Sequence, residues 1–205
     1  MRKTVTLFIA ALLVLSAMAC KIEESAEYKK LRELFLTECS YEEGMELAKN
    51  SGMVLMDNRG FVSGKERWEA FYENTAKGNS DLILIAYSMT LDQESYDPTY
   101  YESIKDQYPK MAFLLLEYNG KEFIFKSRQV DSEGAYRGDG TVYQHLMHFT
   151  GEGLSVSKYT EYSFYVLVDD PTLTWEEIMS ASLSSYAPSQ IRNNPVIMEY
   201  LGWKE

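Results

Sequence analysis

The sequence is poor in the residues that build metal centres and poor in positive charge. Two cysteines and two histidines in 205 residues exclude a disulfide framework, a cysteine-rich zinc cluster and an all-histidine metal site. The 20 lysines and arginines are outnumbered by 31 aspartates and glutamates, so the net charge is −11. Because nucleic-acid phosphates require a basic surface, we expect no nucleic-acid partner. We likewise expect no metal ion and no cofactor.

The chain also lacks an apolar run of membrane-spanning length. Its longest run, Thr4–Leu15, falls well short of the roughly 20 residues that a spanning helix needs. The run follows Arg2-Lys3 and precedes the small residues 16–19, which is the order of a secretory signal. We therefore predict that residues 1–19 are a signal peptide.

Cys20 follows directly on Ala17-Met18-Ala19, and the segment resembles a bacterial lipobox with Ala17 in the place that usually holds leucine. A thiol at this point accepts a diacylglyceryl group, and two or more acyl chains give stable anchoring. We predict a lipidated Cys20 with a short linker, residues 20–25, and an outward-facing domain anchored to the cell membrane. Two alternatives remain open: ordinary cleavage that releases a secreted protein, and a disulfide between Cys20 and Cys39.

Residues 26–205 have the composition of a single folded α+β domain. The chain is 45% hydrophobic and 14% aromatic, which is enough for a real core. Helical spacing predicts one helix over Ala26–Thr37 and another with the stripe Trp68, Phe71, Tyr72 and Thr75. Capping boxes at Ser40 and Ser63 predict the starts of two helices.

The strands predict an antiparallel sheet of about five members. The apolar run within Asp81–Thr90 indicates a central strand. Asn119-Gly120 predicts a type I′ hairpin between the strand that precedes this pair and the strand that follows it. Further strands are expected over Thr141–Thr150 and Ser155–Val168. A C-terminal helical segment should pack on the sheet, formed by Trp175–Leu183 and a last short helix around Ile197, Met198, Tyr200, Leu201 and Trp203.

A polar insert over residues 91–109 is unusually rich in tyrosine. It carries Tyr96, Tyr100, Tyr101 and Tyr108. These rings either pin a loop to the domain or form a ligand-stacking face, because tyrosine offers a large contact area and one polar tip. They are the candidate ligand-binding residues of the sequence.

No catalytic constellation is recognisable. The chain has no G-x-S-x-G, P-loop or G-x-G-x-x-G motif. His145 and His148 lie on a predicted strand, where their spacing puts them on opposite faces. Asp131, Glu133 and Asp139 lack the spacing of a calcium loop. These features favour a non-enzymatic role.

Three stretches, at 61–71, 78–85 and 116–121, carry a helix, a glycine turn, an I-x-I strand and an E-Y-N-G-K hairpin. In this order they resemble small uncharacterised lipoproteins of Bacillus- and Clostridium-type bacteria. The resemblance covers roughly residues 53–130, and the insert at 91–109 departs from it. It implies a surface lipoprotein and implies no particular activity.

We therefore expect a membrane-tethered binding or interaction domain whose partner is an extracellular protein, a peptide or a cell-wall fragment. The alternative is a secreted hydrolase or ligand sensor with its site in the insert 91–109. A third possibility is an inhibitory lipoprotein that acts through the glycine-rich loop Val130–Gly140.

Overall fold

The computed structural model describes residues 25–130, 140–155, 157–183 and 191–204. The signal peptide predicted for 1–19, the lipidation predicted at Cys20 and the loop positions 131–139 lie outside the described residues. Within the described ranges, no helix is long and apolar enough to cross a membrane.

The described chain contains five α-helices and nine strands. In chain order they are α1 (Ala26–Leu36), α2 (Tyr41–Ser51), β1 (Val54–Met56), β2 (Phe61–Ser63), α3 (Lys65–Ala76), β3 (Asp81–Met89), α4 (Pro98–Ile104), β4 (Lys110–Tyr118), β5 (Phe123–Gln129), β6 (Thr141–Tyr143), β7 (His145–Glu152), β8 (Glu161–Val168), α5 (Trp175–Leu183) and β9 (Asn193–Leu201). Short 3₁₀ turns at Gln93–Ser95 and Lys105–Gln107 flank α4.

The α+β class is confirmed, but the strands form two sheets rather than one. Sheet A has the order β2-β1-β3-β4-β5-β6, and sheet B has the order β7-β8-β9. All neighbours are antiparallel except β1 and β3, which run parallel. The strand predicted over Thr141–Thr150 is divided at Gln144, where the chain passes from the edge of sheet A into sheet B.

The central strand β3 is buried on both faces, as its apolar run predicts. Its residues Leu82, Leu84 and Ala86 pack beneath α1 and α2. Its opposite face, with Ile83 and Ile85, packs against α3 and one face of sheet B. The other face of sheet B is covered by α5 through Ile178. Sheet B is thus held between α5 and the main core.

The start of α3 differs from the prediction. At Ser40 the capping box is confirmed, since the serine and Glu43 bond each other's backbone N–H. At Ser63 it is wrong, because Ser63 ends β2 opposite Leu55 and the N-cap of α3 is Gly64. Gly64 has φ +80°, and a Cβ there would lie 2.9 Å from Val54 Cα. The tight passage from β2 to α3 therefore requires glycine.

The hairpin between β4 and β5 is confirmed, but its turn is not type I′. A four-residue loop joins the strands, with Asn119 Oδ1 accepting from the N–H groups of Lys121 and Glu122. Gly120 has a positive φ, and among the described residues only glycines do. Asn119 therefore shapes the loop through its side chain rather than through a left-handed backbone.

The helix at 175–183 is confirmed, whereas the last short helix predicted around Ile197 is wrong. The segment forms strand β9, paired with β8 over its whole length. A register shift opposite Tyr165/Val166 accommodates the stretch from Pro195 to Ile197. Val196 and Ile197 are both buried in the main core, so tertiary packing overrides the helical spacing of the apolar residues.

Candidate acidic cleft

The candidate site is a cleft of about 510 Å³ between the first turns of α3 and one face of sheet B. Strand β2 closes it with Phe61, and strands β7, β8 and β9 each contribute residues. Its lining comprises Phe61, Lys65, Trp68, Glu69, Thr150, Gly151, Glu152, Glu161, Tyr162, Ser163, Tyr165, Glu199 and Leu201. The cleft is therefore mixed in character, with aromatic rings and several carboxylates.

Two rows of residues across sheet B carry its polar groups. One row runs Thr150, Ser163 and Glu199, and the next runs Glu152, Glu161 and Leu201. Residues directly opposite each other in an antiparallel sheet share a face, so all six side chains project on the side of α3. The second row brings two glutamates face to face.

The negative charge of the cleft is only partly balanced. Lys65 Nζ lies 2.9 Å from both carboxylate oxygens of Glu199, whose side chain is 12% exposed. Among the described residues, no cationic side chain forms an ion pair with Glu69, Glu152 or Glu161. Within the described part of the chain, Lys65 is the only cation of the cleft lining, and one of the four carboxylates there already binds it.

Aromatic rings form the floor of the cleft. Trp68 is fully buried, and the Tyr165 ring stands edge-on to it with 5.0 Å between centroids. Lys65 Nζ lies 5.4 Å from the centroid of Phe61, a cation–π contact. Burial raises the pKa of the Tyr165 hydroxyl, so this group stays neutral. The floor is therefore aromatic and carries no charge.

A histidine and a serine meet at the edge of this floor. His148 Nε2 lies 2.9 Å from Ser163 Oγ, and its ring stacks on Tyr165 with 4.0 Å between centroids. Burial lowers the pKa of His148. Within the described chain, no carboxylate bonds this histidine, so the pair lacks the group that orients the base in serine hydrolases. The two histidines lie on opposite faces of β7, as expected.

The four tyrosines predicted from the sequence do not line the acidic cleft. Tyr96 and Tyr100 are 41% and 54% exposed, with ring centroids 5.8 Å apart. Tyr101 is half-buried on α4, and Lys110 Nζ lies 4.8 Å from the ring centroid of Tyr108. The insert is a short helix between two 3₁₀ turns, and its role in ligand binding remains a prediction.

The acidic cleft was missed at the sequence level, although a signal for it exists. Polar residues recur at alternate positions on both sides of the turn after Glu152, and the pairing of β7 with β8 places Thr150, Glu152, Glu161 and Ser163 on one face. In the described ranges, no group of three or more histidines, cysteines, aspartates and glutamates is arranged to hold a metal ion. The carboxylates thus form a broad acidic wall and not a metal cage.

In comparisons with known proteins, no family model matches the chain, and neither a curated protein nor a solved structure does. The resemblance to small bacterial lipoproteins therefore stays a prediction from the sequence motifs.

Proposed function

We propose that this protein is a lipid-anchored, outward-facing binding domain that takes a cationic ligand in the acidic cleft. The ligand is a basic side chain or free amine on a peptide, presented by an extracellular protein or by the peptide part of the cell wall. The opposition of Glu152 and Glu161 across β7 and β8 carries this proposal.

Like charges directly opposite each other on a sheet face destabilise the sheet. Their Cβ atoms lie about 5 Å apart, so the carboxylates repel when no cation is near. An incoming ammonium or guanidinium group relieves this repulsion. The cleft is thus better suited to a bound cation than to an empty state.

Helix α3 connects the cleft to α1, the first helix of the described chain. In the first turn of α1, Tyr28 hydrogen-bonds Asp81, which also accepts from Asn74 near the end of α3. The cleft is lined by Lys65 and Glu69, at the start of the same helix. Arg67, which lies between Lys65 and Glu69 on α3, also hydrogen-bonds Asp81, so α3 and this carboxylate connect the cleft to the start of α1.

Isothermal titration of the protein with a terminally blocked trilysine peptide tests the proposal. The double variant Glu152→Gln/Glu161→Gln should lose about tenfold in affinity, equivalent to about 1.4 kcal/mol. A control with the same change in net charge, Glu33→Gln/Glu42→Gln, alters exposed residues of α1 and α2 and should bind as the parent does. Equal losses in both variants, or no binding of trilysine at all, would overturn the proposal.

A further inference from the structure

Four strands form the edges of the two sheets, and they differ in how far they are open to another strand. The edges of sheet A are β2 and β6, and those of sheet B are β7 and β9. β2 and β6 are three residues long, too short to hold a further strand firmly. The strands that are long enough to pair with a further strand are therefore the two edges of sheet B.

The edge strand β9 is blocked. Pro195 has no N–H to offer, and the register shifts beside it. Near its other end, the N–H of Tyr200 is already bonded to the carbonyl of Arg59 at 2.8 Å. Proline, a bulge and a covering loop are the means by which natural sheets prevent further pairing.

Among the residues that the structure describes, the edge strand β7 has none of these protections. Its eight residues pair with β8 in unbroken register from His145 to Glu152, and it contains no proline. In the part of the chain that the structure describes, no backbone hydrogen bond reaches its outer edge. Alternate N–H and C=O groups along this edge are consequently free to pair with an added strand.

The same strand forms one wall of the acidic cleft, through Thr150, Gly151 and Glu152. On its cleft face it presents His148, Thr150 and Glu152. On its other face Met147 and Phe149 are only partly buried, at the margin of the core beneath α5. An added strand would therefore meet a polar, acidic face on one side and an apolar face on the other.

We propose that the partner is an extended peptide with alternating basic and apolar residues, which adds to β7 as a fourth strand of sheet B. This inference rests on the proposed function. Its backbone lies about 4.8 Å from that of β7. Its basic side chains stand on the cleft face, opposite or diagonal to Glu152, and extend across β7 toward Glu161 on β8. Its apolar side chains cover Met147 and Phe149. Main-chain bonds supply affinity, and the two faces supply specificity.

The test uses a fluorescein-labelled, terminally blocked peptide of alternating lysine and valine, seven residues long, with the full-length protein. Two derivatives carry methyl groups on backbone nitrogens. In one derivative every lysine is methylated at its backbone nitrogen, and in the other every valine is. In a strand these two sets of N–H groups point to opposite edges, so only one set faces β7. The two derivatives share charge and side chains.

We expect one methylated peptide to lose at least about tenfold in affinity, and the other to bind within about threefold of the parent. If both bind like the parent, strand addition is wrong while cation binding in the cleft stands. If both are weakened equally, strand addition is also wrong, because the loss does not depend on the edge. If the parent peptide itself fails to bind, strand addition falls, and the trilysine titration decides separately whether cation binding survives.

Discussion

Arg67 donates hydrogen bonds to Asp81 from both terminal nitrogens of its guanidinium group, at 2.7 and 3.2 Å, and so joins α3 to the first residue of β3. Asp81 is 4% exposed and also accepts hydrogen bonds from Asn74 and Tyr28. Two helices thus meet the central strand at one carboxylate. This contact fixes the first turns of α3, which also line the acidic cleft through Lys65 and Glu69.

Replacing this carboxylate by Asp81→Asn should lower the free energy of unfolding by about 3 kcal/mol, because the partly buried guanidinium of Arg67 loses its nearly buried counter-charge. Urea unfolding at pH 7 measures the change. Asp92→Asn is the control, since the Asp92–Lys158 pair is half-exposed and should contribute much less. A loss at Asp81 no larger than at Asp92 would contradict the structural importance of the contact.

The Asp81 carboxylate should also make the protein less stable in acid. Burial alone would raise the pKa of Asp81, but hydrogen bonds from Arg67 and Asn74 outweigh it and hold the pKa below its usual range. A carboxyl with a lowered folded-state pKa stabilises the protein fully above its unfolded pKa of about 3.9 and progressively less as the pH falls from there. Unfolding free energies of wild type and Asp81→Asn should therefore converge below about pH 4.

Lys65 competes with any cation that enters the cleft. Because it already neutralises Glu199, its removal by Lys65→Met should raise the affinity for trilysine, by about fivefold. Lys77→Met is the matched control, since Lys77 pairs with Glu73 at the far end of the same helix. Unchanged or weaker binding by Lys65→Met, with the fold intact by circular dichroism, would show that the cation does not share the cleft with Lys65.

Two glycines with nearly equal φ test the passage into α3. Gly64 and Gly52 have φ +80° and +75°, but only at Gly64 would a Cβ meet neighbouring backbone, at 2.9 Å from Val54 Cα. Gly52→Ala should cost only the left-handed strain, about 1 kcal/mol. Gly64→Ala should cost about 3 kcal/mol, because β1 must also move. Equal urea midpoints for the two variants would remove the close approach as the cause.

The parts of the fold that could be predicted are those encoded by local patterns. The apolar run of β3, the stripe of α3 and the cap at Ser40 all lead to the observed elements. Long-range packing decides the rest. Ile197 lies in a strand because β8 and the main core bury it, which no local spacing reveals. Likewise, the cleft depends on the pairing of Glu152 with Glu161, and the sequence of the turn between them does not reveal the register of β7 with β8.

The proposed lipid anchor depends on the thiol of Cys20, and the substitution Cys20→Ala tests it. Cells grown with an alkyne analogue of palmitate should label the wild-type protein, and Cys20→Ala should abolish the label because no other atom at the cleavage point accepts the diacylglyceryl group. Cys39→Ala is the matched control: Cys39 is partly buried against the core under α1 and α2, and its loss should leave labelling unchanged. Label that survives Cys20→Ala would place the lipid elsewhere. An unlabelled wild type found in the medium would make the protein a secreted one, whose acidic cleft meets its ligand in free solution.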